Sequence, residues 1–137
     1  MGITTAICNS FKQEILEGVH ASADTYKIAL YTDAATLGAA TTAYSATNEV
    51  SGTGYTAGGE TLTGYLSGLS SNTAYITFSD PSWADSTITA RGCLIYNSSK
   101  SNKAVAAFDF GSNVVSVSGT FTIDLPAAGA SALIRIS

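Results

Sequence analysis

Ser86-Thr87-Ile88-Thr89-Ala90-Arg91-Gly92-Cys93-Leu94-Ile95-Tyr96 is followed by the polar string Asn97-Ser98-Ser99-Lys100-Ser101-Asn102 and then by Lys103-Ala104-Val105-Ala106-Ala107-Phe108-Asp109-Phe110. The first stretch holds β-branched residues and then an apolar run, the pattern of a strand in the middle of a sheet. The polar string is turn chemistry, because Asn and Ser side chains bond their own backbone and tolerate tight conformations. The third stretch, with Val105 and the Phe108/Phe110 pair, reads as the next strand. Strand, turn and strand in this order make an antiparallel hairpin, and the fold class follows from it.

Toward the C-terminus the same grammar repeats. Gly111-Ser112-Asn113 reads as a turn, Val114, Val115 and Val117 as a short strand, and Gly119 as a turn into a strand at Thr120–Leu125. Pro126-Ala127-Ala128-Gly129 reads as a last turn before Ser131–Ile136. Toward the N-terminus, Pro81–Asp85 reads as a turn carrying Trp83. Asn72–Asp80 and Glu60–Leu66 read as strands, and Tyr44–Val50 as a short strand or extended arm. Asp33–Thr42 is a connection of small residues. Asp24–Tyr31 alternates as a strand, with Tyr26, Ile28 and Leu30 on one face. Ahead of it, Ile7, Cys8, Phe11, Ile15, Leu16 and Val19 fall at spacings of three and four, which predicts a helix over residues 4–19. Thr4 or Thr5 would cap it, with Gly18 and His20 at its end. Short strands about ten residues apart, broken by Gly, Asn, Ser and Pro, predict a mainly β fold. The expectation is an antiparallel β-sandwich or jelly-roll-like barrel of about eight strands with one N-terminal α-helix.

The chain has 137 residues, so residues 1–137 are expected to form one domain. Charged residues make up 12%, about half the usual share. Six Lys and Arg stand against ten Asp and Glu, which argues against a basic face for nucleic acid. No stretch approaches the ~20 apolar residues of a membrane span. Cys8 and Cys93 are expected to be reduced and unpaired, as in a protein made in a cytosol. His20 is a helix-end residue with no signalled nucleophile or orienting partner. Asp80 and Asp85 flank Trp83 and suit turn capping better than glycosidase or calcium chemistry, since no spaced set of oxygen ligands accompanies them. No catalytic, cofactor-binding or metal-ligating residue is assigned, and the chain is not expected to be an enzyme.

The loop Gly52–Gly59 is glycine-dense but runs into Glu60 and a strand. It lacks the Lys-Ser/Thr and the helix that a phosphate-binding loop needs. It is expected instead to be a turn with several positive φ angles. Tyr and Trp give rigid amphipathic contact area. Tyr44, Tyr55 and Trp83, with Gly52, Gly54, Gly58 and Gly59, are therefore the candidate protein–protein interface. The same tyrosines are equally good strand residues.

Four segments resemble small β-rich structural proteins of tailed-bacteriophage virions. They are Phe11–His20 with Asp24–Tyr31; Tyr44–Gly59, containing the string Glu-Val-Ser-Gly-Thr-Gly-Tyr-Thr-Ala-Gly-Gly at 49–59; Ala90–Asn97; and Val105–Gly111 with Phe121–Asp124. The resemblance implies a non-enzymatic virion component present in many copies, made in the host cytoplasm. It transfers no site residue. The leading expectation is a capsid decoration or cement protein that binds the major capsid protein of the assembled head shell. The rivals are a tail or head–tail connection protein and a carbohydrate-binding or adhesin module using Trp83 and exposed tyrosines. Low charge density favours self-association, and the three-fold positions of an icosahedral shell make a homotrimer the expected oligomer.

Overall fold

A computed structural model describes residues 2–126, 128–129 and 131–136. In chain order the elements are β1 (Gly2–Ile3), β2 (Ala6–Ile7), α1 (Asn9–Leu16), β3 (Tyr26–Tyr31), β4 (Thr36–Leu37), β5 (Glu60–Thr61), β6 (Leu66–Ser70), β7 (Thr73–Thr77), β8 (Ser82–Asn97), β9 (Lys103–Thr122) and β10 (Ile134–Ile136). A five-stranded sheet has the order β2-β9-β8-β3-β5, with every neighbouring pair antiparallel. A three-stranded antiparallel sheet has the order β10-β7-β6, and β1 pairs parallel with β4. The fold is mainly β and sandwich-like with one helix, as the sequence pattern predicts.

The expected central strand is β8, held between β3 and β9. Its first half alternates: Ser86, Ile88 and Ala90 are buried, while Thr87 and Thr89 are exposed. From Gly92 to Asn97 every residue is buried, because this half is covered on both faces. The polar string after it forms a short 3-10 turn over Ser98–Lys100, and Ser101 and Asn102 take positive φ to reverse the chain. A register shift between Trp83 and Ser86 is closed by a buried hydroxyl pair, with Ser86 Oγ 2.8 Å from Ser116 Oγ and 3.0 Å from the Gly119 carbonyl.

Several boundaries differ from the sequence reading. The helix spans Asn9–Leu16 instead of 4–19, because Gly2–Ile3 and Ala6–Ile7 are taken by sheet pairing with β4 and β9. Neither expected cap acts. Cys8 holds the N-cap position without a side-chain capping bond, and Thr5 Oγ1 instead accepts the Asp109 N–H. Cys8 and Phe11 face the core as expected, whereas Leu16 is 89% exposed. The expected turns at Gly111–Asn113 and Gly119 are irregularities inside one continuous strand. Positive φ at Gly111 and Ser118 absorbs the irregularity, and pairing with β8 is interrupted over residues 110–113 and 117–118 and resumes on either side. Pro81–Asp85 is not a free turn either, since β8 already begins at Ser82. Glu60–Leu66 divides into β5 and the start of β6, the chain turning at Gly64 with φ 69°. Tyr44–Val50 is an arm, fixed by single bridges from Ala43 to Lys103 and from Glu49 to Tyr31. Ala127, within the turn expected at Pro126–Gly129, lies outside the described residues.

A polar node locks the helix to the hairpin end. Asn97 is fully buried. Its Oδ1 accepts the Ser99 N–H at 3.0 Å, so its amide nitrogen must face the other way. There it donates to Asp24 Oδ2 at 2.8 Å and to His20 Nδ1 at 3.0 Å. With Nδ1 accepting, the His20 Nε2–H donates to Glu14 Oε1 at 2.8 Å, and the ring packs on Phe11 at 4.7 Å. His20 thus follows the helix as expected and ties its last turn to β8. Asp24 also receives the Lys100 ammonium at 2.8 Å.

The Lys100 ammonium, followed by the Asn97 amide, lowers the Asp24 carboxyl from its ordinary 3.8 to about 2. Because the folded value lies below the unfolded one, the stabilisation is complete above about pH 4 and is lost as pH falls toward 2. Asp24→Asn should therefore lower stability at neutral pH and flatten the stability profile between pH 4 and 2. Urea unfolding across that range measures both effects.

Candidate interaction surface

The loop that carries the most specific part of the sequence resemblance folds around one carboxylate. Glu49 Oε1 accepts the Tyr44 hydroxyl at 2.6 Å. Glu49 Oε2 accepts the Tyr55 hydroxyl at 2.5 Å and the Gly58 N–H at 2.8 Å. The Tyr55 oxygen in turn accepts the Leu30 N–H at 2.9 Å, and Tyr96 donates to the Gly58 carbonyl at 2.6 Å. Tyr44 stacks on Tyr96 with centroids 4.7 Å apart. Burial, and then the bond to Glu49, push the Tyr44 and Tyr55 hydroxyls well above their ordinary range, so both remain donors. A partly buried carboxylate with three donors is a structural clasp, since charge-assisted bonds of this length are the strong ones.

The glycines serve that clasp. Gly54, Gly58 and Gly59 have positive φ of 83°, 95° and 80°, as the loop's composition predicts. Gly59 sits directly on the Ile28 carbonyl of β3, and a Cβ at Gly54 would stand 2.8 Å from Ser86 Cα. Gly52 and Thr53 lie along β8, where Thr53 bridges Thr87. Trp83 packs edge-on against Phe121 at 5.9 Å and near Tyr55 at 6.0 Å, and is 3% exposed. The seven residues singled out from the sequence therefore occupy one region. Tyr44, Tyr55, Gly58 and Gly59 gather round Glu49, with Trp83 beneath, while Gly52 and Gly54 are exposed. Glu49, which organises them, was not among the seven. Cys8 and Cys93 are buried and free, and burial raises the Cys8 thiol to about 11. Among the described residues no group of three or more His, Cys, Asp or Glu could hold a metal.

The surface beside this clasp sets exposed valines among hydroxyl residues. Val115 and Val117 on β9 are 59% and 74% exposed. Thr89 pairs with Val115, so both project from the same face. Thr32, Ser51, Thr87 and Thr89 join the two valines and Glu49 around a groove of about 320 Å³. A second apolar region lies at the far end of β9, where α1 approaches β10 and β6. Leu16, Leu69 and Ile136 are exposed there. Val105, which bonds Cys8 beside α1, lies opposite the Ile95/Tyr96 step of β8, six residues of strand, roughly 20 Å, from Thr89, the partner of Val115. The sequence reading did not find this second region, because it gathers residues from three distant segments. The chain has no match among family models, characterised proteins or solved structures.

Gly59→Ala should destabilise the protein by about 2–4 kcal/mol, from a strained positive φ and from overpacking on the Ile28 carbonyl. Glu49→Gln keeps the shape but presents an amide N–H₂ either to the Tyr44 hydroxyl or to the Tyr55 hydroxyl and the Gly58 N–H. It should cost about 1–3 kcal/mol. Chemical denaturation of both variants measures these losses.

Proposed function

We propose that this chain is a non-enzymatic structural protein of a tailed-phage virion that decorates the assembled head shell. The observation that supports it most is the exposed valine–threonine face of β8 and β9. Contact with a partner removes water from the surface. Valine methyls gain from that transfer, and threonine hydroxyls bond across the contact, whereas charged side chains would resist it. The groove on this face is lined by uncharged groups apart from Glu49, whose carboxylate is already bonded on both oxygens. A second apolar region about 20 Å away along the strand gives the molecule a further contact, as a protein that bridges neighbours in a lattice requires.

On this reading the partner is the major capsid protein in its assembled form, and binding that form alone stabilises it by mass action. Three copies around a three-fold axis add avidity, so the working state is a homotrimer on the shell. The carbohydrate-binding alternative draws no support from Trp83, whose ring is buried against Phe121 and Tyr55.

The test is co-sedimentation of the purified protein with the empty heads and, separately, the isolated tails of the phage that encodes it. The wild-type protein should pellet with heads. Val115→Asp combined with Val117→Asp should weaken that binding at least about tenfold, the scale set by leaving two buried valines unpaired, with an unchanged melting temperature. Binding to tails alone, or head binding that survives the double substitution, would overturn the assignment.

A further inference from the structure

The three-stranded sheet ends on an open edge. β10 pairs with β7 on one side, and on the other no described strand covers Ile134, Arg135 and Ile136. Between that edge and α1 lies a groove of about 340 Å³, continuous through Phe11 and Ile15 with a space of about 390 Å³ on the sheet's inner face. Phe11, Ile15, Leu16, Leu69, Ile134 and Ile136 give it an apolar lining. Leu69 is 75% exposed and Ile136 55%, so the lining opens to solvent.

The charge at this groove runs against the rest of the chain. The net charge is −4. Of the six Lys and Arg, Arg91, Lys100 and Lys103 hold carboxylates. Two of the remaining three, Lys12 and Arg135, stand at the groove, where the described lining holds no Asp or Glu; Arg135 also lines a neighbouring cavity with Asp124.

We propose that the groove takes an extended segment of a partner protein, apolar at alternate positions and acidic between them, which adds beside β10 as a fourth strand. An open edge offers backbone N–H and C=O groups that another strand satisfies. Side chains directly opposite on a pair of strands touch. Positions facing Ile134 and Ile136 are therefore apolar, and the position facing Arg135 carries a carboxylate, with Lys12 reaching the same segment from α1. A second copy of this chain is the poorer occupant. Two β10 edges related by a two-fold axis through Arg135 would bring the two guanidinium groups together. That the segment belongs to the shell protein rests on the decoration reading; the chemistry of the groove does not.

The probe is an acetylated, amidated heptapeptide in which three valines alternate with two glutamates between terminal serines. Its counterparts carry lysine for glutamate, or N-methyl groups on alternate peptide nitrogens. Calorimetry should show the glutamate peptide binding at least tenfold tighter than either counterpart, and hydrogen exchange should show protection of the 134–136 amides. Lys12→Glu with Arg135→Glu, both at exposed positions, should reverse the preference toward the lysine peptide while circular dichroism stays unchanged. Failure of the glutamate peptide to bind, equal binding of the glutamate and lysine peptides, or full binding of the N-methylated one would overturn the inference. So would preferential binding to phosphatidylglycerol vesicles, or a dimer in sedimentation that the charge reversal abolishes. If the peptide fails while the protein still pellets with heads, the groove proposal falls and the decoration reading stands. If the peptide binds and heads do not, the groove stands and its assignment to the shell protein falls.

Discussion

The pairing of β8 with β9 is the constraint on which the other elements depend. It runs from Ser82 opposite Thr122 to Asn97 opposite Lys103, and β2, β3 and α1 are laid directly against one of these strands. β3 takes the open side of β8, and β2 takes the open side of β9. The helix follows β2 directly, with the Cys8 N–H on the Val105 carbonyl at 3.0 Å. The glycine loop is fastened by Thr53 to Thr87. A one-residue slip in such a pair would turn every buried side chain to the wrong face. Register is therefore held at both ends: the Asn97 node closes the turn end, and the Ser86–Ser116 hydroxyl pair closes the bulged end.

Both ends use buried polar groups, and in each the donors and acceptors are matched. Asn97 spends its carbonyl on Ser99 and its two amide hydrogens on Asp24 and His20. Glu49, midway along the fold, does the same with a carboxylate and three donors. A satisfied buried polar group adds modestly to stability, but an unmatched one costs much more, so such nodes select one arrangement over its competitors. In a chain with few charges and many small residues, apolar packing alone discriminates weakly between registers. The specificity then falls to these few bonds.

This explains which features could be read from sequence. The central strand was legible because Cys93, Leu94, Ile95 and Tyr96 form a run that only a strand covered on both faces would carry. The glycine loop was legible as backbone geometry, since Gly54, Gly58 and Gly59 take the positive φ that their density implied. The helix was overextended because Ile7 has helical spacing from Phe11, yet the open edge of β9 claims it. β9 was cut into three because Gly111, Asn113 and Gly119 are ordinary turn residues, and only the pairing with β8 that resumes at Val114 and at Gly119 keeps the chain in one strand past the bulges there. Glu49 was passed over because a glutamate in a polar loop looks like a solvated side chain. Its two tyrosine partners lie five and six positions away along an arm with no periodicity to reveal them.

The same logic divides the surface. Where the charges of this chain are paired, as at Lys100 with Asp24 and Arg91 with Asp109, they stitch elements to each other. The exposed valines and threonines of β8 and β9 form a face with little to desolvate and little to repel, suited to broad contact with a repeated neighbour. The groove beside β10 has the opposite character. Its cations lie on α1 and β10, elements that meet across a gap instead of through a paired carboxylate. Two positive groups beside an apolar lining and an uncovered strand edge favour a segment that carries carboxylates. Pairing Lys12 or Arg135 within the chain would have closed the groove. Among the described residues neither holds a carboxylate, which keeps an acceptor for a strand of opposite charge and places it at the opposite end of β9 from the neutral face, where one contact does not obstruct the other.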